Sequence, residues 1–318
     1  VLYGWNREQQ SYMLLNGTNA VTINGRSVWL GTTTPNLSLT LTGTIPETVE
    51  HMYFEANNNP GWLMAGSSSR PVAMDSIIVK LIQDLNPQII LTWQEAVSSG
   101  LVQNALLVFD HNTNDYVPIA QTQMNQGFWI GITDNDYVGS SYLEFNFPSH
   151  HLEFPQTRNS RDMAFDWGFT LNNLAFGFSQ FASDDYDGFD VVSPPTPPGT
   201  DVYMRITHED WNNSLGSTYL SDIRQSLGDD DIAEYSVQFF GSGDYQINAE
   251  YYNVPDSLIV SIHVGESTYD LTANPQTVIA VTDGATGTVS ISRAGTLLND
   301  LDNVLPKIFA LHQNYPNP

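Results

Sequence analysis

Tyr235-Ser-Val-Gln-Phe-Phe-Gly-Ser-Gly-Asp-Tyr-Gln-Ile-Asn-Ala-Glu-Tyr251 decides the fold class. Apolar side chains stand at every second position, at Tyr235, Val237 and Phe239 and again at Tyr245, Ile247, Ala249 and Tyr251. Successive side chains of a strand point to opposite faces, so this period of two predicts strands with one buried and one wet face. Gly241-Ser-Gly243-Asp244 between the runs carries turn chemistry. The same period recurs at Leu37, Leu39 and Leu41, at Val202, Met204 and Ile206, and at Leu258, Val260, Ile262 and Val264. Asn16-Gly17, Asn24-Gly25 and Asp283-Gly284 are further turn signals.

Many short strands without alternating long helices predict an all-β chain. Its expected form is two tandem antiparallel β-sandwich domains, Ig-like or jelly-roll-like. Two helical signals interrupt the first. Met74, Ile77, Ile78, Leu81, Ile82 and Leu85 fit one helix face, with Asp75 near its start, although a buried strand over Ile77–Leu81 fits the same residues. Thr92-Trp-Gln-Glu95 reads as a capping box opening a short helix over Trp93–Ser99, with Gly100 as its stop. An internal repeat is also legible: Leu2–Tyr12 is echoed by Leu106–Tyr116, and each copy is followed by a Trp element, Val28-Trp29-Leu30-Gly31 and Phe128-Trp129-Ile130-Gly131. Both copies read as a hairpin followed by a strand with a buried Trp, and Gly61-Trp62-Leu63-Met64-Ala65-Gly66 reads as a further core strand. The texture changes near Leu152–Arg161, which predicts domains over 1–155 and 156–295 and a linker over 296–318.

Composition narrows the partners. Ten Lys and Arg stand against 35 Asp and Glu, a net charge of −25. Such a surface repels nucleic-acid phosphates and anionic lipid headgroups, so neither nucleic acid nor membrane insertion is expected, while cations or a basic partner are favoured. No cysteine is present, which excludes thiolate metal sites and thiol nucleophiles.

Asn303–Pro318, NVLPKIFALHQNYPNP, is not explained by strand or helix periodicity. Its order of Phe309, Leu311, Gln313, Asn314, Tyr315, Pro316, Asn317 and Pro318 resembles the opening of the C-terminal sorting domain carried by cargo of the type IX secretion system of Bacteroidetes-like bacteria. The resemblance implies an exported protein, extracellular or at the bacterial cell surface, whose sorting domain has been removed or not included; the start at Val1 fits a trimmed leader. The Tyr, Gly-x-Trp and Gly-Trp-x-x-x-Gly pattern likewise resembles β-domains of large secreted proteins with such tails.

Candidate site residues are few. Asp184, Asp185, Asp187 and Asp190 surround a Gly turn and form the candidate calcium site, since calcium is a hard cation that collects oxygen ligands. The same residues also fit an acidic loop whose Asp side chains cap the turn. Asp134-Asn135-Asp136, Asp229-Asp230-Asp231 and His150-His151-Leu-Glu153 are weaker metal candidates. Trp211, among Glu209, Asp210, Asn212 and Asn213, is expected to be exposed as a stacking platform for a sugar, whereas Trp62 and Trp129 read as core. Asp75-Ser76-Ile77 and Asp256-Ser257-Leu258 resemble Bacteroidetes O-glycosylation sites at Ser76 and Ser257. Pro194-Pro-Thr-Pro-Pro198 reads as a stiff crossover inside the second domain. No nucleophile elbow, P-loop or dinucleotide fingerprint occurs. The expected role is therefore non-enzymatic: a structural protein, self-assembling as a homo-oligomer or polymer in a filament or surface layer. The alternative is a carbohydrate-binding or adhesive module of a larger secreted protein or hydrolase.

Overall fold

A computed structural model describes residues 2–15, 27–31, 50–55, 60–67, 71–83, 86–124, 126–133, 141–147, 165–199, 202–227 and 232–293. The first half holds β1 (Leu2–Asn6), β2 (Ser11–Leu14), β3 (Trp29–Leu30), β4 (Glu50–Glu55), β5 (Gly61–Ser67), β6 (Ile78–Gln83) and β7 (Asn86–Thr92). Helix α1 (Trp93–Ser98) follows, then β8 (Val102–Asp110), β9 (Asp115–Ile119), β10 (Gln126–Ile132) and β11 (Ser141–Phe147). The second half holds β12 (Trp167–Leu171), β13 (Leu174–Phe178), β14 (Val191–Val192), β15 (Tyr203–Thr207), β16 (Thr218–Arg224) and β17 (Ile232–Phe240). It ends with β18 (Gly243–Tyr252), β19 (Leu258–Val264), β20 (Ser267–Asp270), β21 (Gln276–Val281) and β22 (Thr286–Arg293). The chain is all-β. No helix of the described residues is long and apolar enough to cross a membrane.

Three small sheets, ordered β2-β1-β3, β5-β10-β8-β9 and β4-β11-β6-β7, make up the first half. The second half is one path, β20-β19-β22-β17-β15-β16-β13-β12-β18-β21, with β14 beside β16. Among the described pairs only β13 and β16 run parallel. β17 and β18 are consecutive but do not pair. Gly241 and Gly243, at φ +81° and +147°, let the chain turn between them. Phe239 then meets Tyr245 edge to face at 5.6 Å, and Phe176 of β13 meets Tyr235 at 5.1 Å. The path therefore folds over on itself as a sandwich around alternate residues of each strand.

Helical periodicity over Met74–Leu85 is not realised. A single 3-10 turn spans Met74–Ser76, and β6 follows. Ile77, Val79 and Leu81 are buried while Ile78 and Lys80 are half-buried, so the run obeys a period of two up to Leu81; Ile82, past a register shift against β7, is buried as well. A near-continuous apolar run satisfies both periods, and pairing with β11 and β7 selects the strand. The short helix does form: Thr92 Oγ1 accepts from Glu95 N at 3.3 Å, and Thr92 N donates to Glu95 Oε2 at 2.8 Å. The strand signal at Leu37–Leu41, the turns at Asn16-Gly17 and Asn24-Gly25, the 152–161 boundary and the 303–318 tail lie outside the described residues.

The β5-β10-β8-β9 sheet is buried on both faces. Leu63, Ala65, Leu106, Val108, Phe128 and Ile130 pack toward β6, β11 and α1 with Val79, Leu81, Leu143, Phe145 and Trp93. Trp62, Met64, Ala105, Leu107 and Trp129, on the opposite face, join Trp5, Leu215 and the core of the second half in one continuous apolar cluster. At full burial each large side chain contributes about 1.5–3 kcal/mol.

The sequence repeat is a structural repeat. Trp5 pairs with Tyr12 across β1–β2 as Phe109 pairs with Tyr116 across β8–β9, and Tyr3 pairs with Trp29 as Leu107 pairs with Trp129. Gln10 and Asn114 hold the same turn position with φ of +46° and +54°. The two units face each other so that equivalent rings meet. Trp5–Trp129 and Phe109–Trp29 are both edge to face at 5.0 Å, and Tyr12–Trp129 and Tyr116–Trp29 lie at 6.2 and 6.4 Å. The Tyr12 and Tyr116 hydroxyls both donate to the Pro195 carbonyl, at 3.2 and 2.8 Å. Trp129 Nε1 donates to Tyr116 Oη at 3.2 Å. Burial drives both phenols well above their ordinary pKa, so they remain neutral donors.

Beside this carbonyl the halves are clamped by charge. Arg205 Nη1 and Nη2 donate to Asp115 Oδ2 and Oδ1 at 2.8 and 2.6 Å, while its Nε donates to Ser193 Oγ at 2.8 Å. Arg205 is 2% exposed and Asp115 7%. A bidentate pair at this depth contributes mainly register, because removing one partner strands the other charge. Arg205→Met is expected to lower the unfolding free energy by about 3–5 kcal/mol, and Asp115→Leu combined with Arg205→Met to recover most of it. Urea unfolding of the two variants measures both.

Candidate functional site

Two of the sequence-derived candidates, the acidic turn between β13 and β14 and Trp211 in the loop between β15 and β16, lie together, with the Tyr186 ring of the turn 6.0 Å from the Trp211 ring. In the acidic turn the carboxylates point to backbone donors. Asp187 Oδ2 accepts from Ser183 N at 2.7 Å, and its Oδ1 accepts from Phe189 N at 2.7 Å. Asp190 Oδ2 accepts from Asp187 N at 2.9 Å, and its Oδ1 accepts from Ile223 N at 3.0 Å. Asp184 Oδ1 accepts from Gln225 N at 3.1 Å, while Asp185 is exposed. Three of the four carboxylates thus shape the turn and tie it to β16, the arrangement in which Asp satisfies its own loop. Among the described residues no group of three or more His, Asp or Glu gathers as a metal-binding cluster. Asp134–Asp136, Asp229–Asp231, His150, His151 and Glu153 lie outside the described residues.

Asp190 is 2% exposed. Burial, reinforced by the Asp222 and Asp187 charges and opposed by the two backbone donors, pushes its carboxyl up from 3.8 to about 8. The folded chain therefore holds a proton here that the unfolded chain releases. This contribution to stability is complete below about pH 4 and is lost as pH rises through about 8. Asp190→Asn is expected to flatten the decline in unfolding free energy between pH 5 and about 8, whatever it does to the absolute value. Denaturant unfolding across that range, wild type against variant, checks it.

Trp211 is half-buried rather than exposed. Its ring lies parallel to the His208 imidazole at 3.5 Å between centroids and 1° between planes, and it meets Tyr219 edge to face at 4.9 Å. His208 is held in turn by Asp222, with Nε2 at 2.8 Å from Oδ2, and its Nδ1 faces Asp210 at 3.7 Å. Asp222 is fully buried and also accepts from Arg224 Nε and Nη2 at 3.2 and 3.1 Å. Arg224 sits over the Tyr235 ring at 4.0 Å. With both nitrogens facing carboxylates, His208 is placed to support the Trp211 ring; a general base for a hydroxyl would need one nitrogen turned to that hydroxyl.

A groove of about 1210 Å³ opens beside this stack, lined by His208, Asp210, Ser236, Gln238, His263 and Thr288 among others. The Ser236–Thr288 and His263–Thr288 pairs are cross-strand neighbours on β17, β22 and β19. His263 Nδ1 is bonded to Thr268 Oγ1 at 2.8 Å. A second, smaller cleft of about 360 Å³ lies between the halves, walled by Trp62, Pro195, Arg205 and the stacked rings of Tyr203 and Phe240. Hydroxyl, amide, imidazole and carboxylate groups line the larger groove beside Val237, Val264 and Val281. Ser257 is exposed at the turn before β19, whereas Ser76 is half-buried and donates to Ala73 O at 2.6 Å.

Arg205, Asp115, His208 and Asp222 were not singled out by sequence reasoning. One signal was available: Arg205 is one of only ten basic residues and stands within the alternating run of β15. No family model matches this chain, and neither a curated protein nor a solved structure is found similar to it.

Proposed function

We propose that this chain is a non-enzymatic structural module of an exported bacterial surface protein, acting through rigid β-sheet surfaces that meet other copies outside the cell. The observation that carries the reading is how the polar groups are used. Arg205 and Asp115 clamp the halves, His208, Asp222 and Arg224 brace an aromatic stack, and the acidic turn is bonded to its own backbone. Side chains that could do chemistry are spent on rigidity. The NVLPKIFALHQNYPNP tail supports export, and a chain with only two lysines has few of the edge charges that prevent sheet-to-sheet association. Electron microscopy and light scattering of the concentrated chain, with calcium and with chelator, test this. Filaments, sheets or defined oligomers are expected, and a monodisperse monomer under every condition would reject the assembly reading.

A second reading has its own observation. Trp211, braced by His208 next to a groove rich in hydroxyl and amide groups, resembles the way aromatic rings are held to stack on sugars. A carbohydrate-binding or adhesive module would show glycan-array binding that Trp211→Ala removes by tenfold or more at a temperature where circular dichroism shows the variant folded, although loss of the packed ring lowers its melting temperature. Binding of equal strength in the variant would exclude Trp211 as the platform.

A further inference from the structure

The free edges of the sheets differ in how they are protected. An edge strand offers unpaired N–H and C=O groups to any extended chain, and proteins blunt it with shortness, charge, proline or burial. Among the described residues β2, β3 and β20 have four residues or fewer. β4 contains Glu50 and Glu55, β7 contains Pro87, and β9 contains Asp115 and Pro118. β5 is buried from Gly61 to Ala65. β21 has none of these guards. Among the described residues it ends the ten-strand path, with β18 on one side only. No charged residue occurs from Leu271 to Thr282, in a chain of net charge −25. Ile279 and Val281 anchor the strand in the core, while Val278 just before them is 57% exposed, and Gln276 and Ala280 are exposed as well.

We infer that β21 is a pairing edge for a second copy of this chain, the two β21 strands running antiparallel about a twofold axis. The inference deepens the assembly reading above and rests on it. Two identical strands related by a twofold are antiparallel by geometry, so donors meet acceptors without any further complementarity of sequence. Charge also selects the place. Copies of so acidic a chain repel one another over most of their surface, and a neutral edge is where that repulsion is least. A basic partner would be drawn instead to the acidic faces. The contact is isologous, so it closes as a dimer, and growth beyond two needs a different surface. Six residues on each side fall short of the roughly 1,000 Å² of a stable interface, so the dimer is weak and depends on concentration.

The test is sedimentation of the full chain from micromolar to submillimolar concentration at low and high NaCl, with amide hydrogen exchange read at 276–281. The average mass is expected to rise toward twice the monomer, more so as the screening length falls from about 8 Å at 0.15 M to about 3 Å at 1 M salt. Amides in 276–281 gain protection in step with the mass. Val278→Asp changes an exposed side chain, so its circular dichroism and melting match wild type, and it abolishes both effects. Association that survives in Val278→Asp and in Ala280→Asp, or that brings no protection at 276–281, overturns the edge assignment and leaves the assembly reading standing. A chain that remains monomeric at every concentration and salt overturns both.

Discussion

One guanidinium holds this architecture in register. Arg205 leaves the second half on β15 and ends between the two oxygens of Asp115 at the start of β9, with Ser193 and the Met204 carbonyl taking its other donors. Five N–H groups in a rigid fork accept few geometries, so the pair sets orientation more than it adds net stability. Around it the Tyr12 and Tyr116 hydroxyls share the Pro195 carbonyl, whose two lone pairs suit two donors. The polyproline segment has no N–H at Pro195 to satisfy and a stiff backbone, so it can present that carbonyl at low entropic cost.

The aromatic junction explains why the repeat is needed in two copies. A two-stranded hairpin is marginal in isolation, and adding a third strand still leaves an apolar face to be covered. Setting two such units face to face covers Trp5, Tyr12, Trp29, Phe109, Tyr116 and Trp129 together. Edge-to-face contacts predominate, as ring quadrupoles favour. The second unit then uses its other face as well, under β6, β11 and α1, and so becomes the central layer of the first half.

Chemistry and rigidity compete for the same polar side chains. Asp222 is fully buried and is matched by His208 and Arg224, and Asp190 is buried with two backbone donors and a raised pKa. A perturbed carboxyl often marks a catalytic site. Here the donors around Asp190 come from its own loop and from β16, and the group braces a turn.

Local pattern alone determined the all-β class, the strands through Tyr235–Phe239 and Leu258–Val264, the Thr92 capping box and the repeat of Tyr12 at Tyr116, because each depends on neighbours a few residues away or on a period that burial imposes. The run after Met74 shows where that stops: its apolar residues satisfy two periods, and only pairing with β11 and β7 decides between them. Arg205 shows it again. Alternation assigns it to the wet face of β15, yet the first half covers that face, and the pairing with Asp115 spans 90 residues. What covers Arg205 lies across the fold, and the tertiary structure alone determined that, since a polar side chain buried against a distant partner keeps the same alternation in sequence as an exposed one.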